Sequence, residues 1–109
     1  MKPSKSIVQP GEPRCYLCGS RVNLEKHHCM TGVANRPLAE QYGLWIWLCH
    51  EHHTGKDGVQ YNREKSDGIK RLAQIAFEAR HDHETWMRLF RKSYLHVKIK
   101  YEYENDEED

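Results

Sequence analysis

The sequence has few apolar residues and contains no long hydrophobic run. Hydrophobic residues make up 38% of its 109 positions, which is a low fraction for a chain that must bury a core. No apolar stretch approaches the roughly 20 residues that a membrane-spanning helix requires, and no segment has the pattern of a signal peptide. We therefore expect a single cytoplasmic domain. A domain this small commonly needs a metal ion or a disulfide to stabilise it.

Cysteine is also scarce, and the spacing of the four cysteines favours metal binding over disulfides. Two ligand pairs share the same spacing, namely Cys15-x₂-Cys18 and Cys49-x₂-His52. Two such pairs can close one tetrahedral zinc site, so we predict a structural Zn²⁺ bound by these four residues. His52 and His53 could exchange roles in this site. Cys29 is left over, and we expect it to fill an apolar position in a strand.

Acidic residues are scarce in most of the chain and concentrated at its end. The formal net charge is +1, but residues 101–109 contain six acidic and no basic residues, which leaves residues 1–100 with 17 basic and 10 acidic ones. A body with a net charge of +7 favours a polyanionic partner, and nucleic acid is the leading candidate. We predict that residues 101–109 form a disordered acidic tail. It is either a solubilising terminus or a mimic of phosphate charge that competes for the basic face.

The pattern of apolar and turn-forming residues divides the chain further. Residues 1–13 contain three of the four prolines and are predicted as a flexible arm. Residues 14–62 hold every cysteine, and residues 63–100 continue as a helical extension packed on this core. The predicted elements are, in order, a strand over 23–30, a loop over 31–43 with at most one helical turn, a strand over 44–48, a short helix over 50–54, and amphipathic helices over 63–80 and 83–95. The predicted fold class is α+β, a zinc-binding β-loop-β-α unit followed by two C-terminal helices.

The histidines between and after the two ligand pairs carry a resemblance to a known family. The string runs His-His-Cys-Met-Thr-Gly-Val-Ala-Asn-Arg from position 27, then Tyr-Gly-Leu, then Leu-Cys-His-Glu-His-His. Together with the CxxC pair it resembles the HNH nucleases, the zinc-containing branch of the ββα-metal (His-Me finger) superfamily. It is similar to small HNH proteins encoded by bacteriophages and prophages, which implies a bacterial host cell. The resemblance covers residues 14–57, under half of the chain.

The resemblance implies an activity and assigns roles to residues. The family cleaves phosphodiester bonds in DNA with a divalent metal, here Mg²⁺ or another ion such as Mn²⁺ or Ni²⁺. His28 would be the general base that activates water, and His27 and His53 would bind the catalytic metal. Asp57 is an additional candidate ligand. The residues alone also indicate a second, working metal, because His27, His28 and His53 are surplus to the zinc site.

The middle residue of the family motif is where this chain departs from the common pattern. Many relatives place Asn five residues before the first cysteine of the second pair, and here that position is Leu44. The best substitute is Asn35, whose amide could bridge the loop and orient the imidazole of His28. Asn62 and Asn23 are weaker candidates for the same role.

Contacts with DNA are expected to be mostly with phosphates, because no recognition helix can be identified in the sequence. The candidates are Lys26, Arg36, Lys56, Arg63, Lys70 and Arg71. Arg36 is the sharpest of them, because it follows Asn35 in the loop and arginine can clamp a phosphate with two parallel hydrogen bonds. Any one of these cations could instead be a solvated surface charge.

Two other functions fit the same residues. The protein could be a non-catalytic zinc module that binds nucleic acid or protein, or a structural zinc protein in phage assembly. The surplus histidines argue against a pure binding module, which does not need additional metal ligands. A homodimer or a phage protein partner is compatible with each of these functions.

Overall fold

The computed structural model describes residues 4–56 and 58–97 of the chain. Its elements are, in order, strand β1 Leu24–His28, helix α1 Asn35–Tyr42, strand β2 Trp45–Cys49, helix α2 His50–His53, a 3₁₀ helix Val59–Tyr61, helix α3 Arg63–Glu78 and helix α4 His83–Phe90. The predicted α+β class is confirmed. The predicted acidic tail and the candidate ligand Asp57 lie outside the described residues. None of the described helices is long and apolar enough to cross a membrane.

Strands β1 and β2 form a two-stranded antiparallel sheet, in which His27 pairs with Ile46 and His28 pairs with Trp45. Successive side chains of a strand point to opposite faces of the sheet. His27 is on the face that packs into the protein and is 7% exposed, whereas the side chain of His28 is on the other face and is 25% exposed. Residue 28 is the last of β1, so both imidazoles lie at the end of the strand.

Helix α1 occupies most of the region that the sequence predicts as a loop over 31–43. Its eight residues make two turns, where the prediction allowed one. The helix ends at Gly43, which has a left-handed φ of 72° and closes the last turn with its backbone N–H. A Cβ at Gly43 would collide with the carbonyl oxygen of Lys5. The loop prediction is wrong because Pro37 is tolerated in a first helical turn and glycine is a common helix end.

The two C-terminal helices begin at side-chain caps. Asn62 accepts a hydrogen bond from a backbone N–H of the first turn of α3, and Asp82 does the same for α4, which satisfies donors that the helix itself leaves unpaired. Helix α3 matches the prediction over 63–80 closely. Helix α4 ends five residues before the predicted end, because Arg91 has a left-handed φ of 68°.

The hydrophobic core lies between the sheet and these helices. Its largest apolar side chains come from β2, from the residue before it, and from α3 and α4, namely Leu44, Ile46, Leu48, Ile69, Phe77, Trp86 and Phe90. Burial of each such side chain stabilises the fold by about 1.5–3 kcal/mol. Cys15 and Cys49 border the same core, so the candidate zinc ligands and the helical extension are attached to one packed unit.

Residues 4–13 are irregular but hydrogen-bonded to the rest of the protein. The Oε1 of Gln9 accepts the backbone N–H of Trp47 at 2.8 Å, and the backbone N–H of Ser4 donates to Glu40 Oε2 at 3.0 Å. The polar groups of the segment find partners on strand β2 and helix α1, and the flexibility of the predicted arm stays a prediction.

Candidate metal centre and histidine cluster

The structure brings the four predicted zinc ligands together. Cys15 and Cys18 precede β1, Cys49 ends β2 and His52 lies in α2, yet their sulfur and nitrogen atoms all lie within 4.8 Å of one another. The sulfurs of Cys18 and Cys49 are 3.8 Å apart, and the Cys49 sulfur is 3.3 Å from Nδ1 of His52. Sulfur ligands about 2.3 Å from a zinc ion at tetrahedral angles would be about 3.8 Å apart. This group could therefore hold a metal ion such as zinc.

Backbone hydrogen bonds close the turn that carries the first ligand pair. The N–H of Gly19 donates to the carbonyl of Cys15, and the N–H of Cys15 donates to the carbonyl of Ser20, each at 2.8 Å. Gly19 has a φ of 79°, a left-handed conformation that glycine adopts without steric strain. The turn holds both thiols toward the end of β2.

The surroundings shift the pKa values of Cys15 and Cys18 in opposite directions. Burial raises the pKa of Cys15, but backbone N–H groups of Cys49, Cys18 and Leu17 outweigh it, and the pKa lies below its ordinary value. Burial and the sulfurs of Cys15 and Cys49 raise the pKa of Cys18 to about 11. Thiolates this close repel one another, and a divalent cation would remove that repulsion.

Cys29 is separate from this group. Its side chain is fully buried in the core, and its backbone N–H donates to the carbonyl of Leu44 at 2.9 Å. Burial raises the pKa of the Cys29 thiol far above its ordinary value, so the thiol stays protonated and behaves as a small apolar side chain. The expected apolar position is confirmed, but Cys29 follows the last residue of β1 and so lies just outside the strand.

His27 and His53 lie side by side on the core-facing side of β1. Their ring centroids are 5.3 Å apart and the rings meet edge to face. Among the described residues, Nε2 of His27 is the one buried side-chain polar atom that has no hydrogen-bond partner. Burial, followed by the charges of His53, His28 and Lys70, lowers the pKa of His27 to about 4. The imidazole is therefore neutral near pH 7 and able to bind a metal.

Glu25 orients His53, and sequence reasoning missed this residue. Its Oε1 is 2.7 Å from Nδ1 of His53, and its Oε2 is 2.9 Å from Nδ1 of His50. These two contacts, led by His50, lower the pKa of the Glu25 carboxyl. Because Nδ1 of His53 is engaged, Nε2 is the nitrogen that would bind a metal. The sequence did contain a signal for this residue: alternate residues of a strand lie on the same face, so Glu25 and His27 share a face of β1.

Glu40 of helix α1 contacts His28. Its Oε1 is 2.8 Å from Nε2 of His28 and 3.1 Å from Nζ of Lys26. The hydrogen bond from His28, with those from Ser4 and Lys26, lowers the pKa of Glu40 to about 2, so it is ionised at neutral pH. Sequence reasoning missed Glu40 because the contact depends on helix α1, which was predicted as a loop.

The amide of Asn35 is hydrogen-bonded within its own loop. Its Nδ2 donates to the carbonyl of Thr31 at 3.1 Å, so its amide bridges the loop as predicted but reaches only the preceding turn. Leu44, at the usual position of the motif asparagine, is fully buried in the core. The role of Asn35 beside His28 therefore stays a prediction, and Glu40 is the side chain that contacts this imidazole.

The other weak candidates have structural roles. Asn62 caps helix α3, and Asn23 has a left-handed φ of 55° and accepts the backbone N–H of His50. Neither is recorded in contact with His28. Asparagine tolerates a left-handed conformation and serves well as a cap, which explains both positions without chemistry.

The predicted phosphate-binding cations lie in different surroundings. Arg36 is exposed and lines a groove of about 420 Å³ together with His28, Glu40, Val33 and Pro37. Lys26 pairs with Glu40, and its Nζ lies 4.3 Å from the ring centroid of Trp45. Lys56 is exposed. Arg63 lines a separate groove beside α3. Arg36 is thus the predicted cation that shares a groove with His28.

The Cys₃His group is the only cluster of three or more close Cys, His, Asp or Glu ligands within the described part of the chain. The predicted catalytic metal site stays a prediction: two of its candidate ligands, His27 and His53, are described, and the third, Asp57, lies outside the described residues. The described residues thus form one four-ligand site and one adjacent histidine pair.

Comparisons with family models, with curated proteins and with solved structures find no match to this chain. The resemblance to HNH nucleases over 14–57 therefore rests on the motif residues themselves.

Proposed function

We propose that the protein is a zinc-stabilised, metal-dependent endonuclease of the HNH type that hydrolyses phosphodiester bonds in DNA. The observation that carries the proposal is the buried, unpartnered Nε2 of His27 beside the ring of His53. Leaving a buried polar atom without a partner is costly, and coordination of a metal ion offsets that cost. The low pKa of His27 favours the neutral imidazole that coordination requires.

The contact between Glu25 and His53 supports the same proposal. A carboxylate that accepts the other ring N–H of a ligating histidine fixes its tautomer and raises its basicity, and Glu25 lies 2.7 Å from Nδ1 of His53. When bound, a divalent metal ion supplies positive charge that stabilises the phosphate oxygens and the leaving 3′ oxygen in the transition state.

His28 is the proposed general base. If Nε2 of His28 donates its proton to Glu40, which lies at 2.8 Å, the lone pair of Nδ1 is left to accept a proton from water. The ionised Glu40 stabilises the imidazolium that forms, as the carboxylate does in a catalytic triad. Arg36 lines the groove of His28, where it would clamp a phosphate of the substrate.

A nicking assay tests the proposal. Supercoiled plasmid is incubated with the zinc-loaded protein and with Mg²⁺, Mn²⁺ or Ni²⁺ in turn. We expect metal-dependent nicking that is lost in His28→Ala while the zinc content stays unchanged. His96→Ala is the matched control, because His96 is an exposed histidine outside both clusters. Undiminished cleavage by His28→Ala would overturn the assignment of the base.

A non-catalytic zinc module that binds nucleic acid is the second candidate function. It is favoured by the ligand count, because His27 and His53 belong to no group of three close metal ligands among the described residues. The same preparation distinguishes the two functions. Salt-sensitive DNA binding without cleavage under any of the three metals would favour the module.

A further inference from the structure

A second groove, of about 440 Å³, lies between the 3₁₀ helix, the first half of α3 and the segment that follows α4. We call it the Tyr94 groove, and its relevant lining residues are Tyr61, Arg63, Asp67, Lys70, Lys92 and Tyr94. Its volume is in the range of grooves that hold small ligands or one nucleotide of a longer chain.

The Tyr94 groove has an excess of positive charge. The Nζ atoms of Lys70 and Lys92 lie 5.5 and 5.3 Å from the ring centroid of Tyr94, so two ammonium groups face one aromatic ring. Among the described residues that line the groove, Asp67 is the one carboxylate, and it is 3.9 Å from Lys70 and 3.8 Å from Arg63. Three cations and one carboxylate, which forms ion pairs with two of them, leave a net charge of +2, which an anion would offset.

Lys70 is the cation that would gain most from an anionic ligand. Its side chain is only 17% exposed, so water screens its charge less than that of a surface lysine. Burial lowers the pKa of Lys70, Asp67 opposes that effect, and the charges of Lys92 and Arg63 add to it. The fold thus holds three cations together against their repulsion.

The wall that carries Lys92 and Tyr94 is fixed in place by helix α3. The fully buried Gln74 accepts the backbone N–H of Tyr94 at 2.6 Å, and Nε of Arg71 donates to the carbonyl of Leu95 at 3.1 Å. A cation that is already positioned loses less conformational entropy when it binds a ligand.

The Tyr94 groove adjoins the histidine cluster. A Cβ at Gly58 would lie 2.5 Å from the carbonyl oxygen of His53, so the 3₁₀ helix that forms one wall begins directly against α2. The positive charge of Lys70 also lowers the pKa of His27, although burial and the neighbouring histidines have larger effects. A chain molecule bound at His27 and His53 would continue into this groove.

We propose that the Tyr94 groove binds a phosphate of a DNA strand through Arg63, Lys70 and Lys92, with an adjacent unpaired base stacked on Tyr61. Tyr61 is 70% exposed at the rim of the groove, and exposed aromatic rings beside basic grooves are the stacking platforms of single-strand binders. This inference rests on the proposed DNA substrate. It adds the position of the DNA strand beyond the bond that is cut. Because the stacked base must be unpaired, we expect the protein to bind single-stranded or frayed DNA more tightly than closed duplex.

Binding measured without cleavage tests the inference. Fluorescence anisotropy of a short single-stranded oligonucleotide, and of the duplex of the same sequence, is recorded with the full zinc-loaded chain and no added Mg²⁺. We expect Lys70→Gln/Lys92→Gln to weaken binding about tenfold at low salt and to reduce the slope of log affinity against log salt by about 1. Lys5→Gln/Arg80→Gln removes the same charge from exposed positions elsewhere and should bind more tightly than the groove variant.

Tyr61 is tested by the pair Tyr61→Ala and Tyr61→Phe. The alanine variant should lose several-fold affinity for the single strand and little for the duplex, while the phenylalanine variant keeps the ring and should retain binding. Arg63→Gln repeats the charge test at a side chain that is 87% exposed, so that a folding defect does not mimic the result. Groove variants that bind like the Lys5→Gln/Arg80→Gln control would overturn the inference.

The outcome is separable from that of the nuclease proposal. The nuclease proposal is scored by nicking, which His28→Ala should abolish, and the inference is scored by oligonucleotide affinity without added Mg²⁺, which the groove variants should weaken. A protein that binds through the Tyr94 groove but never cleaves would refute the nuclease and leave this inference standing.

Discussion

The carboxylate of Glu40 lies 2.8 Å from Nε2 of His28, and the two residues come from different elements, helix α1 and strand β1. The contact can fix which nitrogen of His28 carries the proton and how the ring is oriented. No other carboxylate contact to His28 is recorded among the described residues.

Replacing this carboxylate should slow cleavage without weakening DNA binding. Glu40→Gln keeps the size of the side chain but removes its charge, so we expect the nicking rate to fall about 10- to 100-fold. Single-turnover nicking and oligonucleotide affinity would be measured together. Glu12→Gln, at an exposed carboxylate paired with Arg21, is the control and should behave as the wild type. An unchanged rate in Glu40→Gln would remove Glu40 from the mechanism.

Metal binding by the Cys₃His group should be a condition of folding. We expect one zinc per chain, and Cys49→Ser should lose it and unfold at much lower temperature, because binding free energy at a structural zinc site is folding free energy. Cys29→Ala is the matched control and should keep its zinc while losing about 1 kcal/mol of stability. Zinc content by atomic absorption and thermal unfolding by circular dichroism give both results. Full zinc retention by Cys49→Ser would contradict the assignment.

The buried His27 should make stability depend on pH. In the unfolded chain its pKa is the ordinary 6.5, but in the folded protein burial lowers it to about 4. Between these values the unfolded state binds the extra proton, so this contribution to stability is complete above pH 6.5 and is lost as the pH falls toward 4.

The size of the effect follows from the difference in pKa, and is at most about 3 kcal/mol. The free energy of unfolding would be measured by denaturant titration from pH 7 to pH 5 in wild type and in His27→Phe, which cannot take up the proton. The wild type should lose more stability than the variant over this interval. Equal losses would show that His27 is not buried as a neutral ring.

Gly43 should tolerate alanine less well than Gly32 does. Both glycines have left-handed φ values, 72° and 101°, but a Cβ at Gly43 would collide with the carbonyl of Lys5, whereas one at Gly32 would meet nothing within 4 Å. We expect Gly43→Ala to cost about 1–3 kcal/mol more than Gly32→Ala, as measured by urea unfolding. Equal costs would show that the chain near Lys5 is free to move away.

The candidate zinc ligands could be predicted because the two members of each pair lie only three positions apart in the sequence. Cys15 and Cys18 share one turn, Cys49 and His52 share the strand-to-helix junction, and only the approach of the two pairs depends on the sheet. The strands could likewise be predicted from local patterns, and the caps at Asn62 and Asp82 also depend on residues only a few positions apart.

The carboxylate partners of His28 and His53 could not be predicted in the same way. Glu40 lies 12 positions from His28 and Glu25 lies 28 positions from His53, so each contact is a product of tertiary packing. The Tyr94 groove was still harder to predict from sequence, because its cations come from two separate segments, α3 and the residues after α4. The sequence analysis names Arg63 and Lys70 as candidate phosphate-binding cations, but only the fold shows that Lys92 lines the same groove.

The attachment of residues 4–13 has a consequence for how copies of the protein behave at high concentration. A strand with an open side presents unpaired backbone groups that can recruit a strand from another molecule. Here the side chain of Gln9 accepts the N–H of Trp47, and the hydroxyl of Ser6 donates to the carbonyl of Trp45. The backbone N–H of Tyr16 donates to the carbonyl of Trp47. These contacts occupy backbone groups on the outer side of β2, so we expect this edge to be less able to recruit a strand from another molecule.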